Sequence, residues 1–220
     1  MRLLLTLLSL PHICVSLMVD VLTPKNISAD LNKCLILVDK HATSIPRVFV
    51  DALIISEDHR SELHPGIDVI AIIRALYVWV KLGQVQGAST IEQQYVRVVS
   101  NRFKRTAARK FREQILAVML ARRTKKYAVA SAYLSIAFYG AGSSGISGLT
   151  DKFGDDLSKV SFDQALRMVA QLKYPRPIHP SEEWHSKIEA RLTMLINRAE
   201  LSANNSFRSK MFCGTANFMR

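Results

Sequence analysis

The chain is poor in features that mark several large protein classes. It has three cysteines in 220 residues, Cys14, Cys34 and Cys213, and none shows the paired spacing of a metal site. Its histidines, His41, His59, His64, His179 and His185 among them, are scattered, with no His-x-x-x-His pair to grip zinc. No glycine-rich loop of the Walker or dinucleotide type occurs. Convincing strand patterns are few and there is no internal repeat. These absences argue against a zinc enzyme, a nucleotide-driven motor and a dehydrogenase. A single Cys34–Cys213 disulfide stays open for an oxidising compartment. Acid is also scarce where it matters most: from Arg97 to Lys126 there are eleven Lys or Arg residues and one carboxylate, Glu113.

What is present is apolar and basic. The hydrophobic fraction of 49% supports a sizeable core. A formal charge of +12 and a pI near 9.9 favour an anionic partner: nucleic acid, an anionic membrane face or a phosphate-bearing substrate. Leu3 to Val19 form an apolar block behind Met1-Arg2, closed by Asp20. It is a marginal membrane span, because a spanning helix needs roughly 20 apolar residues. Pro11 and His12 count against a span, so the block, 1–22, reads as a membrane anchor, a signal segment or, least favoured, a buried core helix, and Arg2 favours an N-inside orientation with the remainder outside the cytoplasm.

Residues 23–45 read as a polar connector with one short extended piece at Cys34–Val38. Pro46 can open a helix, and the apolar spacing then carries it to Glu57. Ile67–Leu82 is apolar almost all round, so it is central in a core or touches lipid. Helices follow at about 90–100, 107–122 and 125–139, a Gly/Ser loop at 140–145, then helices at 161–173 and 181–202. Residues 203–220 read as a loose tail. The fold class is all-α.

Three stretches carry candidate chemistry. Glu57 and Asp58 end the first of these helices, with His64 and Gly66 just beyond. The negative helix end and the apolar Ile54 and Ile55 make Glu57 a better proton acceptor, as a general base requires. An exposed Glu-Asp pair is the plainer reading of that segment alone. Ser89 with Glu92 reads as a capping box, and Gly87 lets a ligand approach the free amides of that helix start. Capping does not explain the adjacent Gln93 and Gln94. Arg109 lies one turn before Glu113 and should hold it ionised, leaving Lys104, Arg105, Lys110 and Arg112 for phosphates. A basic helix also suits nucleic acid, but no helix-turn-helix, zinc or stacking pattern supports that choice.

In this order and spacing the three stretches resemble the motifs of glycosyltransferase family 51, the peptidoglycan glycosyltransferases. Glu-Asp-x-x-Phe-x-x-His-x-Gly is matched by Glu57, Asp58, His64 and Gly66. Gly-x-Ser-Thr-x-x-Gln-Gln is matched by Gly87, Ser89, Thr90, Gln93 and Gln94, and Arg-Lys-x-x-Glu by Arg109, Lys110 and Glu113. Later resemblance lies at Lys126, Tyr133-Leu134, Tyr139-Gly140 and Phe153-Gly154, so that residues 45–200 are covered. The resemblance implies a lysozyme-like, two-lobed helical domain at 46–202 with a membrane-touching part. Its substrates would be lipid II and the growing glycan strand. Glu57 would be the general base and Glu113 the second acid. Asp58, His64, Gly66, Ser89, Thr90, Gln93, Gln94, Arg97, Arg109 and Lys110 would bind substrate. It requires no cofactor and no protein-held metal, and allows a divalent cation, Mg or Mn, at the pyrophosphate. It implies the plasma membrane with the domain on the extracytoplasmic side, cell-wall synthesis proteins as partners and no nucleic acid. With no second domain following, the monofunctional type is expected.

The chain also departs from the family pattern. Ser61 stands for the first motif's Phe, Arg97 for a Lys, Val98 for an Asn, Ser131 and Ser135 for a Glu and an Asn, and Lys152 for an aromatic residue. These changes motivate the rival reading of a degenerate, non-catalytic lipid II-binding or cell-wall interaction protein.

Overall fold

Pro46 sets where the first motif-bearing helix begins: its ring supplies a helical φ and its missing N–H costs nothing at a first turn. In a computed structural model, which describes the backbone through residue 215 and side chains through residue 202, that helix is Arg47–Glu57. The architecture is the all-α, lysozyme-like one expected, with helices α1 Arg2–Leu8, α2 Leu10–Leu22, α3 Lys25–His41, α4 Arg47–Glu57, α5 Val69–Leu82 and α6 Ile91–Val99. Then come α7 Ala107–Ala121, α8 Lys126–Leu134, α9 Gly145–Phe153, α10 Phe162–Ala170 and α11 Glu182–Thr215. Strands β1 Phe138–Gly140 and β2 Ser143–Ser144 form a small antiparallel hairpin after α8.

Helices α3, α4, α6, α7, α8 and α10 enclose the main core, with Phe49, Leu53, Tyr95, Leu116, Leu120 and Leu134 all buried. The connector expected at 23–45 is therefore corrected over most of its length. Pro24 caps α3, and Leu31, Cys34 and Val38, spaced three and four apart, join the core as one helical face. Cys34–Val38 is helix, not an extended piece. Cys34 is a free, buried thiol whose pKa is pushed up to about 12, by burial first and then by Asp30. Cys213, with which a disulfide was left open, lies outside the residues whose side chains are described.

The helix expected at 125–139 stops at Leu134, and the chain turns into the hairpin. Gly140 makes this possible: its φ is +148°, and a Cβ there would meet the Arg176 carbonyl oxygen at 2.4 Å. Helix α11 continues past residue 202, so 203–215 extend it; 216–220, also expected in the loose tail, lie outside the described residues.

The N-terminal block is two helices bent by 60° at Ser9, and among the described residues no single helix is long and apolar enough to cross a membrane. Pro11 explains the break, because it has no amide to give to the carbonyl of Leu7 four residues back. Helix α2 packs on α7, and α1 packs on α5. Helix α5 begins at Asp68, which accepts from the Ala71 amide at 2.9 Å and pairs with Arg60 at 2.7 Å. Most of α5 is not core: Ile73, Leu76, Tyr77, Trp79 and Val80 are exposed.

Candidate functional site

Helices α4, α6 and α7 bring the three sequence stretches together, and two carboxylates emerge with contrasting partners. Glu113, on α7, is buried and surrounded by cations. It accepts from Arg97 Nε and Nη2 at 3.0 and 3.1 Å, from Lys110 Nζ at 2.6 Å, and from Arg109. Burial alone would raise its pKa; hydrogen bonds from Arg97 and Lys110, with their charges, outweigh that and hold it below its ordinary 4.5. The expected Arg109–Glu113 pair is present, and Arg97, reaching across from α6, completes it. Arg97 is pushed up, first by its hydrogen bond to Glu113. Lys110 moves the other way from a simple ion pair: burial, the largest influence, lowers its pKa despite the bond to Glu113.

Ser89 is not the helix cap. Thr90 is: its hydroxyl accepts from the Gln93 amide at 3.3 Å and donates to the Gly66 carbonyl at 2.7 Å. Freed from capping, Ser89 Oγ takes bonds from Lys110 at 2.9 Å and Arg97 at 3.3 Å, and so faces the cation cluster. Glu92, the supposed second half of a capping box, is instead buried against Lys126. The capping-box reading is overturned because a longer-range cation outcompetes the local amide.

Glu57 ends α4, one helix away from the cluster. Its Oε1 accepts from Arg191 Nη2 at 2.5 Å and Ser56 Oγ at 3.1 Å, and its Oε2 from Gln94 Nε2 at 3.1 Å. The apolar surroundings expected from Ile54 and Ile55 are thus replaced by a guanidinium. Arg191, on α11, was not among the residues singled out in the sequence. It belongs to no expected motif, and only its place among Ile188, Leu192 and Leu195 on an otherwise core-facing helix marks it as a buried cation.

The two glutamines that capping left unexplained are the link. Gln93 Oε1 accepts from Lys110 Nζ at 2.5 Å, on the Glu113 side. Gln94 holds Glu57 and accepts from Tyr133 OH at 2.8 Å. Burial, and then the charge of Glu57, push the Tyr133 pKa up, so this phenol stays a donor and sets which way the Gln94 amide faces.

Asp58, His64 and Gly66 form a buried frame behind the acids. His64 Nδ1 accepts from the Gly66 amide at 3.2 Å, which leaves Nε2–H to donate to Asp58 at 3.0 Å. Asp58 also accepts from the Ile91 amide at 3.2 Å, fixing the start of α6. Gly66 has φ +104°, and a Cβ there would lie 2.5 Å from the Ala117 carbonyl oxygen, so this turn packs directly on α7. These three residues touch one another and neighbouring helices, and the Asp58 and His64 side chains are buried. Donor atoms of Asp58, His64 and Glu92 converge within 4.8 Å, as a metal site would. The Lys126 ammonium is already there, paired with Glu92 and 3.4 Å from His64 Nδ1. Beside Glu113 the groups are three cations, so a divalent cation held by protein side chains does not fit that cluster either.

Open space adjoins Glu57 and the Arg109 end of α7. A cleft of about 480 Å³ lies beside Arg109 and is bordered by Arg102, Phe103, Lys104 and Arg112. A recess of about 40 Å³ lies between Glu57 and Ser89, with Arg74 on its wall.

Three of the departures from the expected motifs have defined places in the fold. Ser131 is fully buried, donates to the His41 carbonyl at 2.7 Å and accepts from the Ile45 amide at 3.2 Å, clamping the α3–α4 turn. Ser135 donates to the Ser131 carbonyl at 2.8 Å. Ser61 is buried, in a short 3-10 turn.

Residues 36–200 match the family model described as Transglycosylase. Penicillin-binding protein 1B of Haemophilus influenzae is 33% identical over 156 residues, 68% of this chain and 20% of that protein. Penicillin-binding protein 1B of Vibrio cholerae is 36% identical over 61% of this chain and 18% of its own length. Penicillin-binding protein 1A of Rickettsia prowazekii is 27% identical over 70% of this chain and 20% of its own. The chain therefore spans about a fifth of the length of these relatives.

Proposed function

The chain belongs to the transglycosylase family, and from that membership we propose that it is a peptidoglycan glycosyltransferase polymerising lipid II at a membrane. The observation that carries the reading is the consecutive pair Gln93 and Gln94, which ties a cation-clad acid to a second acid across one helix. Sugar transfer with inversion needs a base on one face and a stabilised leaving group on the other.

Glu57 takes the proton of the acceptor sugar's 4-hydroxyl. The freed oxygen bonds to the donor's anomeric carbon as the bond to the lipid diphosphate breaks, releasing undecaprenyl pyrophosphate. Arg191 and Gln94 keep the Glu57 carboxylate fixed in direction before the proton moves. Diphosphate leaves as an anion, so it needs cations more than a strong acid. Arg97, Arg109 and Lys110 supply more positive charge than Glu113 cancels, and Ser89 adds a hydroxyl beside them. Glu113 keeps the three cations in place. Burial disfavours the protonated form of Lys110, and an incoming phosphate would favour it. Asp58, His64, Gly66 and Thr90 act by positioning α4, α6 and α7.

The test is incubation of the purified full chain with lipid II, with glycan products resolved by size. Polymer is expected from the native protein, and Glu57→Gln should lower its rate about 100- to 10,000-fold while the variant still binds lipid II. Binding of lipid II with no polymer from the native chain would sink the enzymatic reading and leave the non-catalytic one.

A further inference from the structure

We infer that Tyr133 is a positioning residue for the proposed base, acting through Gln94 to leave one oxygen of Glu57, Oε2, as the atom that takes the acceptor's proton. This rests on the proposed function and gives a task in it to a buried, uncharged phenol.

The two carboxylate oxygens of Glu57 are not equivalent. Oε1 accepts from Arg191 Nη2 at 2.5 Å and from Ser56 Oγ at 3.1 Å. A carboxylate oxygen has two lone pairs, so two donors fill it. Ser56 is itself held in place, because its hydroxyl accepts from the same Arg191 nitrogen at 2.9 Å. Oε2 accepts from Gln94 Nε2 at 3.1 Å and keeps its second lone pair for a substrate hydroxyl. The recess of about 40 Å³ beside Glu57 has room for such a hydroxyl, since a water needs only ~10–15 Å³.

This division holds only while Gln94 presents its amide nitrogen to Glu57. Before the reaction the carboxylate enforces that orientation, because a turned-over amide would set oxygen against oxygen. Once Oε2 has taken the acceptor's proton, Glu57 is neutral and the restraint is gone. A turned-over amide would then accept from the new O–H and trap the proton on the base. Tyr133 prevents this. Its hydroxyl donates to Gln94 Oε1 at 2.8 Å and so occupies the amide oxygen on the side away from Glu57. Burial first, and then the charge of Glu57, keep the proton on the phenol, so it stays a donor. The proton on Oε2 passes to water in the recess, and the base is restored for the next addition.

The phenol is fixed from a third helix. Tyr133 is buried on α8, which packs against both α4 and α6, and Ser131 on the same helix clamps the α3–α4 turn. The orientation of an amide on α6 against a base on α4 is therefore set from α8.

Tyr133→Phe keeps the ring and removes the hydroxyl. Initial rates on lipid II are measured for the native full chain, Tyr133→Phe, Gln94→Met and the double variant, together with lipid II binding and melting temperature. Tyr133→Phe should lower kcat about 10- to 100-fold with KM and lipid II binding near native. Gln94→Met breaks the link at its centre, so adding Tyr133→Phe to it should change the rate little further. A tyrosine that only supports the fold would give the double variant the product of the two single losses. That result overturns the inference, as does native kcat in Tyr133→Phe. Gln94→Glu supplies a check should Tyr133→Phe fold poorly: it keeps an acceptor for the phenol but puts an acceptor against Oε2. It should lose at least as much rate as Gln94→Met, and a native rate there defeats the inference. A native chain that makes no polymer removes the proposed function and this inference with it. Polymer from the native chain with an unaltered Tyr133→Phe variant defeats the inference alone.

Discussion

Arg191 and Glu113 make opposite demands on charge, and each can be tested by one substitution. Removing Arg191 leaves Glu57 held by Gln94 and Ser56 only, so its carboxylate loses direction. Arg191→Ala should lower turnover on the order of 100-fold, the typical cost of a small misplacement, with Arg191→Lys recovering part of it. Equal activity in native protein and Arg191→Ala would remove it from the positioning of Glu57. Glu113 makes a prediction in pH. Its folded pKa lies below the ordinary 4.5, so its ionised form stabilises the fold fully above about 4.5, and that contribution is lost as pH falls through the folded value. Glu113→Gln should therefore melt below the native protein at neutral pH, and the gap should narrow in acid. Melting temperatures measured across that range decide it; a gap that stays constant would contradict the assignment. Asp58, His64 and Glu113 were legible as a group because their spacing matches known motifs. Arg191 was not, because its importance arises from a contact between helices far apart in the chain.

At the scale of elements, α6 is the part whose start the whole site depends on. Thr90 caps it and donates to Gly66, and Asp58 takes the Ile91 amide. Thr90→Ala should cost about 1 kcal/mol for the cap, and more because the Gly66 carbonyl is left unpaired in the interior. Thr90→Ser should restore most of it, as urea midpoints would show; a Ser variant as unstable as Ala would mean the methyl, not the hydroxyl, matters. Helices α4 and α7 were legible because Pro46 and the apolar period both point to them. Helix α3 was hidden by Pro24, Asn26 and Ser28, which read as connector residues yet are a cap and a first turn. Ser89 and Glu92 show the limit of local reasoning: the capping-box pattern is present, but Lys126, thirty-four positions on, claims the carboxylate.

For the molecule as a whole, excess positive charge should govern membrane binding. Sedimentation with phosphatidylglycerol vesicles should weaken as salt rises, because screening shortens the reach of exposed charges to ~8 Å at physiological ionic strength. The apolar surface of α1, α2 and α5 should keep some protein bound at high salt; complete release would mean charge alone holds it. The all-α class was legible from composition and period. The bend at Ser9 follows from Pro11, which divides the apolar block into two helices. The Arg191–Glu57 contact also sets an order of assembly. Arg97, Arg109, Lys110 and Glu113 leave the ribosome nearly together, so under the proposed function the diphosphate-holding cluster can form early. Glu57 waits for a partner 134 residues later, roughly 7 to 27 s at the usual 5–20 residues per second. A nascent chain halted before α11 would therefore carry a finished anion trap beside an unlatched base, and would capture substrate before it was able to turn it over.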